Sequence, residues 1–342
     1  MVYNFKNDYT EGVHPRILET LKKTNMEQHE GYGEDRHCKE AIYLLRQKIN
    51  NFNADIHFVS GGTQTNAIVI SSVLKPYESV ISTTSGHIST HEAGAIEHAG
   101  HKINEVESLD GKLTCKNIQS VLDAHSDEHM VKPKLVYISN ATETGTFYKK
   151  NELEALSIFC KSKGLLLYLD GARIGSALCS QDNDLTLAQL SQWVDVFYIG
   201  GTKNGAMLGE AILIINDNLK ENFRFHLKQK GALLAKSRIF GIQFVELFKD
   251  DLFFRLAEHA NAMALKLSRS IEKMGYQFIS KSTTNQIFPI FKQNLINRLS
   301  KKYGFYVWKN VDDQHSAIRL VTSWATKEEA IDRFITDVKV DF

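Results

Sequence analysis

Two stretches decide the fold: Leu165-Leu-Leu-Tyr-Leu-Asp170-Gly-Ala-Arg173 and Val196-Phe-Tyr-Ile-Gly200-Gly-Thr-Lys203-Asn-Gly205. Each opens as a short apolar run, the signature of a strand buried on both faces. Each closes in charged groups set among small residues. The first delivers Asp170 and Arg173, the second Lys203. In open α/β sheets, ligands collect beyond the carboxyl ends of the strands. The two runs therefore predict an acid, a guanidinium and an amine gathered on one rim.

Outward from these stretches, strands and helices alternate. Helices are predicted over Pro15–Lys23, with proline in the first turn, over Arg36–Ile49, and from the Ser60–Asn66 turn to Lys75. Strands are predicted at Ile56–Val59, Ser79–Ser82, Ile103–Val106, Leu135–Ser139, Leu165–Leu169, Val194–Ile199 and Ala211–Ile215. Asn151–Lys163 reads as a helix with an Asn151/Glu154 capping pair and a Gly164 stop. This alternation predicts an α/β protein with a mostly parallel sheet sandwiched by helices. After about residue 240 the pattern changes. A long amphipathic helical region, Phe240–Met274, is followed by strand-like Gln277–Ile279 and Gln286–Phe291. A helix near Asn294–Tyr303, a strand at Ala317–Thr322 and a last helix capped by Thr326/Glu329 complete the chain. We read residues 1–240 as a large α/β domain and 241–342 as a smaller C-terminal α+β domain, with segment 1–15 packing on the smaller one.

The bulk numbers remove several function classes. A formal net charge of +1 creates no field that would draw the chain to nucleic acid or a membrane surface. No apolar run approaches the roughly 20 residues of a membrane helix, and the N-terminus has no signal-like segment. The four cysteines are scattered, without a CxxC pair, which reads as reduced thiols in a cytoplasmic protein.

Candidate site residues follow from chemistry. Lys203, flanked by Gly200, Gly201 and Gly205, can meet a bulky ligand and form an imine with an aldehyde cofactor. Asp170 ends an apolar run, so its carboxylate needs a partner. A protonated pyridine nitrogen or Arg173 would supply one. This set suits pyridoxal 5'-phosphate, which takes a lysine at its aldehyde and an acid at its ring nitrogen. Ser60-Gly-Gly-Thr-Gln-Thr-Asn66 turns from a strand into a helix, where N–H groups favour a phosphate and the Thr63 and Thr65 hydroxyls add bonds. His87 and His91 are the richest histidine cluster. They could share a helix face, but HExxH fails at Ala95, so no metal is expected. A histidine stacked on a cofactor ring or moving a proton is the better reading. Arg319, inside the apolar run Ala317–Thr322, needs an anion: a substrate carboxylate or an internal acid. Lys228, Lys230 and Lys236 form a basic cluster near the presumed domain junction.

Together these segments resemble the threonine aldolase and β-eliminating lyase family of fold type I pyridoxal phosphate enzymes. The resemblance rests on Gly31-Tyr-Gly-Glu-Asp35, Ser60-Gly-Gly-Thr63, His87 with Glu92-Ala-Gly94, Leu169-Asp-Gly-Ala-Arg173, Gly201-Thr-Lys203, Thr284-Asn285 and Ile318-Arg-Leu-Val-Thr322. It implies an aspartate-aminotransferase-like fold in which Lys203 bonds the cofactor and Asp170 pairs with its ring nitrogen. Gly62 and Thr63 would hold its phosphate, and His87 would stack on the ring. Arg173 would lie by the phenolic oxygen or the substrate carboxylate, which Arg319 binds. It also implies a homodimer or homotetramer with shared active sites, in which Lys230 or Lys236 reaches the partner's phosphate. Two positions depart from the pattern: Asn7 stands where serine is common, and Asn140-Ala-Thr142-Glu143 replaces Glu-Asn-Thr-His, putting Glu143 where a histidine faces the substrate hydroxyl.

The expected reaction is aldol cleavage of a β-hydroxy-α-amino acid such as threonine to glycine and an aldehyde, with His87, Glu143 or a water taking the hydroxyl proton. β-Elimination from an aromatic or sulfur amino acid is the alternative within the cofactor class. A zinc hydrolase on His87/His91 and a non-enzymatic interaction protein are the alternatives outside it.

Overall fold

The computed structural model describes residues 2–339 of the chain. Helices α1 (Pro15–Thr24) and α2 (Arg36–Lys48) precede a central sheet. Its strands are β1 (Asp55–Val59), β2 (Glu78–Thr83), β3 (Ile103–Val106), β4 (Lys132–Ser139), β5 (Leu166–Asp170), β6 (Val196–Gly200) and β7 (Glu210–Ile214). Across the sheet they run β1-β7-β6-β5-β4-β2-β3. The five from β6 to β3 are parallel, and β7 is antiparallel to both of its neighbours. β6 and β7 are buried along their whole length, as a sheet covered on both faces requires. Every strand predicted for this half of the chain is present, within a few residues.

Helix α3 (Gly62–Val73) leaves β1 across the Gly61 turn, and α4 (Lys150–Ser162) leads back into β5. The expected Asn151/Glu154 cap of α4 is displaced. Glu152 instead reaches back to accept from the Lys149 N–H at 2.8 Å, because the helix starts at Lys150. Gly164 stops α4 with φ +64°. The predicted helix over 240–274 is two helices, α5 (Arg238–Lys249) and α6 (Leu252–Lys273), broken where Asp251 takes a left-handed φ of 56°.

Beyond α6, β8 (Gln286–Ile287), β9 (Ile290–Lys292), β10 (Tyr306–Asn310) and β11 (His315–Val321) build a small antiparallel sheet, with β11 paired to the other three. Gln277–Ile279 makes no strand, only a single bridge from Phe278 to Pro289. Pro289 breaks the run 286–291, since it has no N–H to donate to a ladder. Strand β10 lay outside the sequence reading: it is largely exposed and shows no inward-facing apolar alternation. The last helix, α7 (Glu328–Lys339), starts after Thr326, whose hydroxyl accepts from the Ser323 N–H rather than capping the helix.

The N-terminal segment lies on this smaller sheet. Tyr3–Asn4 pairs in parallel with Tyr303–Gly304, and Phe5 joins the core of Leu267, Phe291, Ile318, Leu320 and Phe334. Residues 1 and 340–342 of the two stretches read as domains lie outside the described residues.

Helices α2 and α5 meet without a side chain between them at Gly241, where a Cβ would lie 2.6 Å from the His37 carbonyl carbon and 2.8 Å from Cys38 Cα. Both neighbours are backbone, so Gly241→Ala must push the helices apart. The expected loss is about 1–3 kcal/mol of unfolding free energy, read as a lower urea midpoint with an unchanged slope.

Candidate active site

Asp170 is the last residue of β5 and is buried. Its Oδ2 accepts from Tyr137 Oη at 2.6 Å and from Asn66 Nδ2 at 3.2 Å. Its Oδ1 accepts from Tyr198 Oη at 2.6 Å and from the Ala172 N–H at 3.0 Å. Burial pushes this carboxyl up, but the His87 charge and the hydrogen bonds from Tyr137, Tyr198 and Ala172 outweigh it and hold its pKa below the usual value. The tyrosines remain donors: burial, then the charge of Asp170, raises both phenols well above their ordinary range. Sequence reasoning missed Tyr137, Tyr198, Asn66 and Tyr168, which donates to Asn66 Oδ1 at 2.7 Å. A signal was available, because a tyrosine inside an apolar run must find a partner for its hydroxyl.

Lys203 lies three residues beyond the end of β6. Burial, followed by the Arg173 charge, lowers its pKa against the opposing pull of Asp8, Asp170 and Glu210. Glu210, also missed, is the first residue of β7 and opposes Gly200 across the ladder. Its Oε2 accepts from the Gly201 N–H at 2.9 Å, fixing the turn that carries Lys203. Burial pushes its carboxyl up to about 7, against the pull of Thr202 and Lys203.

Gly61, Gly62 and Thr63 open α3, whose first N–H groups have no side-chain cap. A Cβ at Gly62 would lie 3.1 Å from Tyr198 Oη, so the backbone there runs close against the Asp170 cluster. His87 follows Gly86. Its Nδ1 bonds the buried Glu92 Oε1 at 2.7 Å, and Glu92 Oε1 also accepts from Asn66 Nδ2 at 2.6 Å. Glu143 accepts from Ser139 Oγ at 2.8 Å and from the His87 N–H at 3.2 Å, both through Oε1, while its Oε2 is buried and unpartnered. Burial, then Asp170, raises its pKa.

These groups line two adjoining cavities. The inner, about 270 Å³, is bordered by Gly62, Thr63, His87, Asp170, Lys203 and Glu210. The outer, about 740 Å³, shares Lys203, His87, Glu143 and Arg173 with it and adds His91, Tyr306, Trp308 and Arg319. The requirement that Lys203 and Asp170 face one space is met. The inner chamber also fits pyridoxal phosphate by its donors: an amine, a carboxylate held ionised, and a glycine-lined helix start.

Arg173 and Asn7 are placed differently from the plain reading, and of the two partners open to Arg319 the internal acid is absent among the described residues. Arg173 forms a two-pronged pair with buried Asp8, Nε to Oδ2 at 2.7 Å and Nη2 to Oδ1 at 3.0 Å. Asn285 Nδ2 donates to the same Asp8 Oδ2 at 2.9 Å. Asn7 is turned to its own loop, its Oδ1 accepting from the Tyr9 N–H at 3.1 Å and Thr10 Oγ1 at 2.9 Å, and Tyr9 reaches the cavity in its place. Arg319 pairs with no acid among the described residues: its guanidinium carbon lies 5.0 Å from the Trp308 ring centre and 5.4 Å from that of Tyr306, and its buried Nε is unpartnered. Nη2 donates to the Lys6 carbonyl at 3.3 Å. The His87 and His91 rings stand 5.5 Å apart, but Nδ1 of His87 is taken by Glu92. Lys230 and Lys236 are exposed.

Asp8→Ala leaves Arg173 in a largely buried site without its counter-charge. The expected cost is about 3–5 kcal/mol, checked by denaturant unfolding of the purified variant.

Comparison with known proteins agrees with this geometry. The family model of the β-eliminating lyases matches residues 6–294. A low specificity L-threonine aldolase from a Pseudomonas species is 33% identical over 98% of this chain and 96% of its own length, and one from Pseudomonas aeruginosa is 31% identical over 98% and 97%. The solved structure of Leishmania major threonine aldolase superposes with a TM-score of 0.98 at 50% identity, covering 99% of both chains. A Thermus thermophilus aspartate aminotransferase, 14% identical, shares the fold at a TM-score of 0.73 over 99% of this chain and 91% of its own. With its central sheet, its lysine–aspartate pair and these full-length relatives, the chain belongs to the β-eliminating lyase family, on the aspartate-aminotransferase-like fold.

Proposed function

We propose that the protein is a pyridoxal phosphate-dependent carbon–carbon lyase that cleaves threonine-like β-hydroxy-α-amino acids to glycine and an aldehyde. The carrying observation is that Lys203 and Asp170 border one inner chamber adjoining an outer one that holds the Arg319 guanidinium, which meets no carboxylate among the described residues. Threonine aldolases matched along their whole length support the choice of cleavage over β-elimination. When bound, the cofactor supplies an electron sink for the bond being broken.

In this reading Lys203 is the amine that bonds the cofactor's aldehyde, and its lowered pKa favours the neutral, nucleophilic form. Asp170 holds a proton on the ring nitrogen. Gly62 and Thr63 receive the phosphate at the start of α3. His87 covers the ring. Arg319 takes the substrate carboxylate. Arg173 is already neutralised by Asp8, which leaves Arg319 as the cavity's unpaired guanidinium among the described residues. Asn7, locked in its own turn, acts on the substrate only through the segment it shapes. Glu143 removes the β-hydroxyl proton, and its elevated pKa makes it a stronger base than an exposed carboxylate.

A homodimer or higher oligomer with shared active sites goes with this reading. Loop 31–35 and helix Phe223–Gln229 meet at the surface, with Phe225 exposed, Lys228 over the Tyr32 ring at 4.7 Å, and Lys230 and Lys236 free to reach a partner's phosphate. All four cysteines are free thiols, which suits the cytoplasm, and no helix among the described residues is long and apolar enough to cross a membrane.

The deciding experiment is product identification with L-threonine, L-allo-threonine and L-phenylserine on the purified yellow protein. Glycine plus an aldehyde is expected; pyruvate or another keto acid with ammonia would overturn the reading. The visible absorbance of the lysine-bound cofactor should vanish in Lys203→Ala.

Arg319→Gln removes charge-assisted bonds worth about 1.5–3 kcal/mol, so kcat/KM should fall roughly 10- to 100-fold. Glu143 must be ionised to accept a proton, so activity should decline as pH falls through its raised pKa. In Glu143→Gln that acid limb should disappear from the kcat profile, with kcat down about 10²- to 10⁴-fold.

A further inference from the structure

Away from both cavities, the loop joining α1 to α2 gathers a carboxylate and two imidazoles. We propose that Glu27, His29 and His37 form a binding site for a zinc-class divalent cation that clips this loop to the first turn of α2. None of the three borders the catalytic chambers.

The donor atoms are already near coordination spacing. Glu27 Oε2 lies 2.9 Å from His29 Nε2 and 3.6 Å from His37 Nε2, and the three lie within 4.8 Å of one another. A tetrahedral ion with bonds of about 2.0–2.1 Å sets its donors roughly 3.3 Å apart, so small side-chain adjustments would seat it.

A second observation points to a ligand. His37 is buried, and its Nε2 has no hydrogen-bond partner. A buried polar nitrogen left without a partner is costly, and this one faces Glu27 at a distance too long for a hydrogen bond and suited to an intervening ion.

The surroundings hold the ligands in place. Arg238 donates to the main-chain carbonyls of Thr24 at 3.3 Å, Asn25 at 3.0 Å and Glu27 at 2.7 Å, fixing the loop from beneath. His37 is set by α2, whose N-cap Asp35 accepts from the Cys38 N–H at 2.9 Å. Arg36 Nη2 contacts Glu27 Oε1 at 2.9 Å and Oε2 at 2.7 Å. With the ion on Oε2, Arg36 keeps Oε1 and orients the carboxylate from outside the coordination sphere. The two guanidiniums oppose a cation, so affinity should be moderate. Arg36 is largely exposed, where solvent screens its charge. Two imidazoles and one carboxylate select zinc, or cobalt and nickel, over magnesium and calcium, and the open fourth position takes water.

The test is calorimetric titration of the cofactor-loaded enzyme with zinc after chelator treatment and dialysis, with cobalt absorbance as a second readout. One saturable site per chain is expected, together with a rise in Tm on adding zinc. Affinity should drop at least about 10-fold in His29→Gln and in His37→Gln, and survive in His91→Gln, which removes the rival pair in the outer cavity. If the buried His37→Gln fails to fold, His29→Gln at the partly buried position decides. No saturable zinc uptake, uptake unchanged in His29→Gln, or uptake abolished in His91→Gln overturns the proposal.

Discussion

The constraint on which the rest depends is one buried carboxylate that must stay ionised. Asp170 is out of water, where an uncompensated charge would be costly. Four donors from four elements answer that cost: Tyr137 from β4, Tyr198 from β6, Asn66 from α3 and the Ala172 N–H beyond β5. The same bonds fix the relative placement of three strands and a helix. Because α3 carries the glycine turn and β6 leads to Lys203, the start of that helix and the amine are both placed by the bonds that hold Asp170. A buried polar network of this kind rigidifies when every member is satisfied. Two of its oxygens are unpartnered, Glu92 Oε2 and, reached through Ser139, Glu143 Oε2.

A second constraint joins the two sheets. The N-terminal segment pairs with Tyr303–Gly304, gives Phe5 to the smaller core and then turns, so that Asp8 meets Arg173, three residues beyond β5 of the larger sheet, and Asn285 beside the smaller one. The Lys6 carbonyl accepts from Arg319 along the same path. The outer cavity is therefore walled by residues carried by both sheets, which one short segment links. Any relative motion of the sheets must stretch the Asp8–Arg173 pair or carry it along.

The middle of the central sheet was legible because β4, β5, β6 and β7 each carry a continuous apolar run, the strongest short-range pattern a buried sheet produces. Lys203, Asp170, His87 and the Gly61–Thr63 turn were legible for a related reason: each follows a strand, where ligands collect. What stayed hidden depended on partners distant in sequence. Tyr137, Tyr168 and Tyr198 look like core filling until their hydroxyls converge. Glu210 reads as the hydrophilic start of a strand, and only the β6–β7 pairing folds it over Gly201. Strand β10 escaped because it is exposed, yet it supplies Tyr306 and Trp308, the rings that flank Arg319. Asp8 escaped because nothing near it in sequence names Arg173. Glu27, His29 and His37 escaped because a loop and a helix, rather than a helical repeat, bring them together.

The two acid–base candidates differ in what their surroundings leave them able to do. Glu92, as a carboxylate, can only accept, so His87 carries its proton on Nδ1 and spends that nitrogen on Glu92. Its freedom is further limited by the cofactor ring it is proposed to cover. Glu143 is arranged the other way. Both of its donors, Ser139 and the His87 N–H, fall on Oε1, leaving Oε2 without a partner in a residue that borders both cavities. Burial and the nearby Asp170 charge make the ionised form costly, which is what gives a carboxylate the basicity to take a proton from a hydroxyl. A histidine at this position would become positive on taking the proton and be drawn to Asp170. A glutamate instead starts as an anion repelled by Asp170 and becomes neutral on taking the proton, so the transfer itself relieves that repulsion.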